Sequence, residues 1–147
     1  MNKRLLSSRI LLVQGILILV VAAIHLAVTP LLRDTMLHRL SSTDFLFVWP
    51  PLLLSFVVMG ILLIPIGVST LLCASAVRAG ERWAWRFGIT NALAILSLPA
   101  VLALTMEKHY FTAIPFLIAA ILISLVGVSM GLPLWWVRGE LVNKTGL

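Results

Sequence analysis

Four stretches of this chain contain no Asp, Glu, Lys or Arg: 10–32, 45–77, 87–106 and 110–137. Nothing else in the sequence limits folding as strongly. Each stretch meets the roughly 20 apolar residues that a helix needs to cross a hydrocarbon core about 30 Å thick. Inside that core no water is available to backbone N–H and C=O groups, so only helices and closed barrels can span it. Barrel strands cross in about ten residues and alternate in polarity. These stretches are longer and do not alternate, which predicts an all-α fold: a four-helix transmembrane bundle, antiparallel, with short loops, in a single integral membrane domain. The composition agrees, because a chain of 147 residues that is 61% hydrophobic and 11% charged cannot cover its apolar surface with polar groups in water.

Prolines refine the expected boundaries. Pro50-Pro51 would be tolerated in a first turn and disfavours helix just upstream, so the second span is expected over 51–77, kinked near 61–65 by Pro65. The fourth is expected over 111–133, opened by Pro115 and interrupted by Pro133, with Leu134 to Val137 lying along the interface. The first and third spans are expected over 10–32 and 87–106, leaving residues 33–44 as the only extramembrane segment of any length. The first stretch follows a basic Met-Asn-Lys-Arg start, the charge order of a signal peptide. Its uncharged run is longer than the roughly 7 to 15 residues of a signal core, which favours a retained span over cleavage near Ala22-Ala23 or Ala27. Cys73 has no second cysteine to pair with, so no internal disulfide forms.

The net charge of +6 would suggest nucleic acid as a partner for a soluble protein. Here the basic residues flank apolar spans and point to lipid headgroups and topology, with no nucleic acid implied. Lys3, Arg4, Arg9, Arg78, Arg82, Arg86, Arg138 and Lys144 fall on one side of the expected topology, against Arg33, Arg39 and Lys108 on the other. The positive-inside rule then places both termini in the cytoplasm. Trp83, Trp85, Trp135 and Trp136 would form an aromatic belt at that face, with Trp49 and Tyr110 at the outer one.

The densest cluster of charge and aromaticity is Arg78 to Gly88, RAGERWAWRFG. Gly80 can end the second helix in a left-handed cap, and Glu81 sits where the positive end of the third helix dipole begins. Arg82 and Arg86 share a helix face and can snorkel to headgroups beside Trp83 and Trp85. Interface anchoring accounts for every residue of the cluster; a basic patch for anionic lipid or a soluble partner is the functional alternative. The run Gly80-Glu81-Arg82-Trp83-Ala84-Trp85, with Ile24-His25-Leu26 in the first span, resembles small bacterial four-span inner membrane proteins without an assigned activity. That resemblance implies a bacterial inner membrane protein and carries over no catalytic role. Small multidrug exporters are similar in span count, but they use a glutamate within the first helix, and 10–32 holds no acidic residue.

Polar residues within the spans are the usual place to seek function. Gln14 and His25 share a face of the first helix, about three turns and about 16 Å apart. Asn91 enters the third span at a depth matching Gln14, so an interhelical bond between Gln14 and Asn91 is expected, as packing first and as a site second. On the opposite side His25, Glu107 and His109 could converge on a small ligand, a metal or a redox centre, since imidazoles and carboxylates bind zinc or copper and shuttle protons. Their spacing matches no metal motif. The alternative is a neutral core histidine bonded to a carbonyl that a proline has freed, with Glu107 as a solvated loop charge. Haem would need two embedded histidines at matched depth, and only His25 qualifies, so no cofactor is indicated. No nucleophile beside a base, phosphate loop or buried carboxylate pair is present in the sequence, so catalysis is not expected. Gly127 and Gly131 form a Gly-xxx-Gly with Ser124 extending it, and Gly60 and Gly67 form a similar strip, so helices can approach closely there. The neighbour could be another span of the same chain, a second copy in a homo-oligomer, or a different membrane protein. The expected function is that of an accessory membrane protein acting through helix packing; the alternative is a ligand, metal or redox protein with an outward-facing site at His25, Glu107 and His109.

Overall fold

A computed structural model describes residues 3–105 and 114–142. They form four helices: α1 (Lys3–Arg39), α2 (Ser42–Ala79), α3 (Arg82–Thr105) and α4 (Ile114–Val142). All four are long and apolar enough to cross a membrane. The chain is therefore an all-α polytopic membrane protein, with α1 packed on α2 and α3 packed on α4.

Two helices exceed their expected spans by a wide margin. With 37 residues in α1 and 38 in α2, each is about 55 Å long, against about 30 Å of hydrocarbon. The segment 33–44, expected as a loop, is almost entirely helical, and the connection shrinks to Leu40 and Ser41. Its cause is a cap that masks the proline signal. The Ser41 hydroxyl accepts from the Asp44 backbone N–H at 3.2 Å and donates to Asp44 Oδ2 at 2.6 Å, while the Phe45 N–H bonds the Ser41 carbonyl at 2.9 Å. The Ser41 hydroxyl thus N-caps α2 well upstream of Pro50-Pro51, with the Asp44 carboxylate holding that hydroxyl, and both prolines lie inside the helix. His38 and Arg39 in the last turn of α1 suit its negative end. Pro115 does fall in the first turn of α4 as expected. Pro133 does not stop α4, which continues to Val142 with Leu134 and Val137 fully buried.

The turn between α2 and α3 follows the expectation closely. Gly80 has φ 84°, in the left-handed region where a side chain is strained. The Glu81 N–H bonds the Ala76 carbonyl at 2.9 Å and the Gly80 N–H bonds that of Val77 at 3.1 Å, the paired bonds of a Schellman cap.

The chain divides into two compact units. One contains α1 up to Gln14, α2 from Ser69, and all of α3 and α4; segments of all four helices meet there. Its core includes Leu11, Cys73, Val77, Ala84, Met130, Leu134 and Val137. Gly127 fixes the approach of α4 to α3, since a Cβ there would lie 2.5 Å from Leu96 Cγ and 3.3 Å from the Ala92 carbonyl oxygen. Gly131 has more room, with the Ala92 Cβ at 3.8 Å. The second unit, Gly15–Val68, is the hairpin formed by the rest of α1 and α2. Gly60 and Gly67 set its spacing: their Cβ atoms would lie 3.3 Å from the carbonyl oxygens of Ala22 and Gly15.

Lipid-facing hydroxyls return to their own helices. Thr90 donates to the Arg86 carbonyl at 3.0 Å, Ser97 to Ala94 at 2.7 Å and Thr105 to Val101 at 2.8 Å. A hydroxyl so bonded adds no unpaired donor to the apolar surface.

Candidate functional site

In the hairpin unit, His25 is half-buried on α1. Its Nδ1–H donates to the Val21 carbonyl at 3.0 Å; a carbonyl can only accept, so that contact fixes the proton on Nδ1. The acceptor is one turn back on the same helix and is not freed by a proline, which corrects that part of the expectation. The ring lies 5.7 Å from the Phe56 ring on α2, tilted by 34°. The Thr29 hydroxyl donates to the His25 carbonyl at 2.8 Å. Glu107 and His109 lie outside the described residues. Among the described residues no group of three or more His, Cys, Asp or Glu could hold a metal ion.

The polar residues of the other unit do not pair as expected. Gln14 Nε2 donates to the Ser129 hydroxyl on α4, and that hydroxyl in turn donates to the Val126 carbonyl at 2.9 Å. Asn91 Nδ2 donates to the Ser69 hydroxyl on α2 at 2.7 Å and lies 3.4 Å from Thr70 Oγ1. Gln14 and Asn91 therefore each tie two helices together, but through separate serines. Matched depth alone does not pair the two amides, because the hydroxyls of Ser129 and Ser69 already stand on the facing helices. A third tie runs from the Ser7 hydroxyl to the Pro133 carbonyl at 3.1 Å, and both residues are buried. Gln14 Oε1 is buried with no hydrogen-bond partner among the described residues.

Near the ends of the same helices, Arg4 Nε donates to Glu140 Oε2 at 2.9 Å, and Nη2 to the Glu140 carbonyl at 3.2 Å, joining the start of α1 to the end of α4. The positive-inside count already placed these two segments on one side, and that was the available signal for the pair. Arg138 stacks on two indoles, with its guanidinium 5.1 Å from the Trp85 ring and 5.3 Å from the Trp135 ring. Cation–π contacts of this kind hold a ring in place. Trp83 meets Phe87 edge-on at 6.2 Å. Arg82, Trp83, Trp85, Arg86 and Phe87 line a cleft of about 500 Å³ at the start of α3. Trp135 and Trp136 are exposed at the end of α4, whereas Trp49 is buried and stacked on Phe45 at 5.9 Å.

No known protein family, curated protein or solved structure matches the chain. The resemblance carried by Gly80 to Trp85 and His25 therefore rests on those residues alone, and function has to be argued from the helices and their contacts.

Proposed function

We propose that the chain is an accessory protein of a bacterial inner membrane, folded as one integral domain with both termini in the cytoplasm. It works through contacts between helices and not by catalysis. One observation carries this reading: in the four-helix unit, embedded polar side chains are taken up in ties between helices, Gln14 to Ser129, Asn91 to Ser69 and Ser7 to Pro133. Intramembrane polar groups that bind a transported or reacting species face a cavity or a water path. Here they face one another. The lysines and arginines that flank the spans support the orientation, and Arg82, Trp83, Trp85, Arg86, Trp135 and Trp136 act as anchors at the cytoplasmic surface. Lipid is the first partner of the outward apolar faces, and a second copy or another membrane protein would dock on the same faces.

Two measurements test the reading. Reporter fusions at the carboxyl end should report a cytoplasmic location, and an external one would overturn the orientation. Metal analysis and absorption spectra of purified protein should show no stoichiometric metal or chromophore. A bound metal or chromophore that His25→Ala removes would replace this reading with an outward-facing site at His25, Glu107 and His109.

A further inference from the structure

The cleft at the start of α3 is built differently from the rest of the surface. Its lining residues are two arginines and three aromatics, Arg82, Trp83, Trp85, Arg86 and Phe87. Arg82 and Arg86 are one helical turn apart and project from one face. The ion pair found among the described residues is Arg4 with Glu140, so neither guanidinium of the cleft is neutralised by a carboxylate there. The rings are held in place: Trp85 lies under Arg138, and Trp83 rests on the Phe87 edge. A guanidinium pair beside fixed aromatics is suited to a phosphate oxyanion, which takes paired N–H donors from each arginine.

Depth decides between a lipid and a soluble ligand. Arg82 and Arg86 are the last charges before the uncharged run 87–106, so the first turn of α3 belongs at headgroup level. Below the cleft the same face continues through Thr90, Leu93, Ala94, Ser97 and Val101, all exposed. Thr90 and Ser97 turn their hydroxyls back to their own backbone, leaving methyl and methylene groups outward. A cationic cleft above an apolar helix face matches a phosphate headgroup above its acyl chains.

We propose that this cleft is a binding site for an anionic phospholipid, with Arg82 and Arg86 sharing its phosphodiester and the acyl chains lying along the exposed face of α3. Basic side chains near a membrane surface each contribute about 5-fold to association with anionic lipid, so the two together should contribute about 30-fold.

The experiment uses the full chain in phosphatidylcholine vesicles containing a minor fraction of phosphatidylglycerol. Either lipid carries brominated acyl chains that quench nearby tryptophan. Brominated phosphatidylglycerol should quench more than brominated phosphatidylcholine at equal abundance. That preference should fall about 5-fold in Arg82→Gln or Arg86→Gln and about 30-fold in the pair. Arg78→Gln, which removes a nearby exposed charge outside the cleft, should lower it less than either single variant, because Arg78 adds only to the general surface attraction and holds no phosphate. The single variants keep the test decisive if the double variant fails to insert, which unchanged quenching by brominated phosphatidylcholine would monitor. A preference that survives both single variants, or that Arg78→Gln lowers equally, overturns the proposal. If inorganic phosphate alone abolishes the preference, the ligand is free phosphate and the lipid assignment fails.

Discussion

Gly127 and Gly131 stand one turn apart on α4, yet substituting each with alanine should have opposite consequences. A Cβ at Gly127 would lie 2.5 Å from Leu96 Cγ, 2.8 Å from its Cδ2 and 3.3 Å from the Ala92 carbonyl oxygen. Cγ is one bond from the Leu96 Cβ and cannot swing clear as a side-chain tip could, and the carbonyl belongs to the α3 backbone. The helices must therefore separate or Leu96 must leave its rotamer, an overpacking cost of about 1–3 kcal/mol. At Gly131 the added Cβ meets only the Ala92 Cβ at 3.8 Å, an ordinary contact. Both substitutions gain the same helix propensity, about 1 kcal/mol, which cancels in their difference. Gly131→Ala should be neutral to about 1 kcal/mol stabilising, and Gly127→Ala should fall below it by about 1–3 kcal/mol. Reversible unfolding in mixed micelles gives both values. Leu96→Ala supplies a second check: alone it loses the contact of a half-buried side chain, but beside Gly127→Ala it removes the clash and should cost less. Equal stability of the two alanine variants would refute the close approach of α4 to α3 at Gly127.

Three further outcomes follow from the helix ends. Gly80→Ala should cost about 1–2 kcal/mol because φ there is 84°, measured by the same unfolding assay. Ser41→Ala should cost about 1 kcal/mol and raise amide hydrogen exchange in the first turn of α2, while exchange near Pro50 stays unchanged. Glu140→Gln breaks the partly exposed ion pair with Arg4, so it should cost under about 1 kcal/mol, with an effect that shrinks as salt rises.

The number of helices, their apolar character, the cap at Gly80 and the first turn at Pro115 were all legible in the sequence, because each depends on local chemistry. Helix length was less legible. Pro50-Pro51 is a strong local signal for a helix start, but the N-cap at Ser41 satisfies the first turn earlier, and hydrocarbon thickness does not limit a helix that continues beyond it. Polar partners were the least legible. Depth along an ideal helix brings Gln14 level with Asn91, but partner choice depends on which faces meet, and Ser129 and Ser69 occupy the facing positions. Serines were easy to overlook for this role, since others such as Ser55, Ser75, Ser97 and Ser124 bond only their own helix. At Gly127 the sequence left the neighbour open, and the helix there lies against Ala92 and Leu96 of the same chain. At His25 the sequence left a ligand and a packed core histidine both open, and the described contacts are with Val21 on its own helix and Phe56 on α2.

The central claim is that embedded polar groups in this protein join helices, and a double-mutant cycle on Gln14 and Ser129 tests it most directly. Single variants are a poor guide, because Gln14→Leu loses a bond but also removes the unpartnered Oε1 from the interior. The coupling between Gln14→Leu and Ser129→Ala isolates the bond, and interhelical hydrogen bonds couple by about 0.6 kcal/mol on average and up to about 1.7. The account predicts a coupling in that range for Gln14 with Ser129 and none for Gln14 with Asn91. Zero coupling in the first cycle, or a coupling of that size in the second, would contradict it.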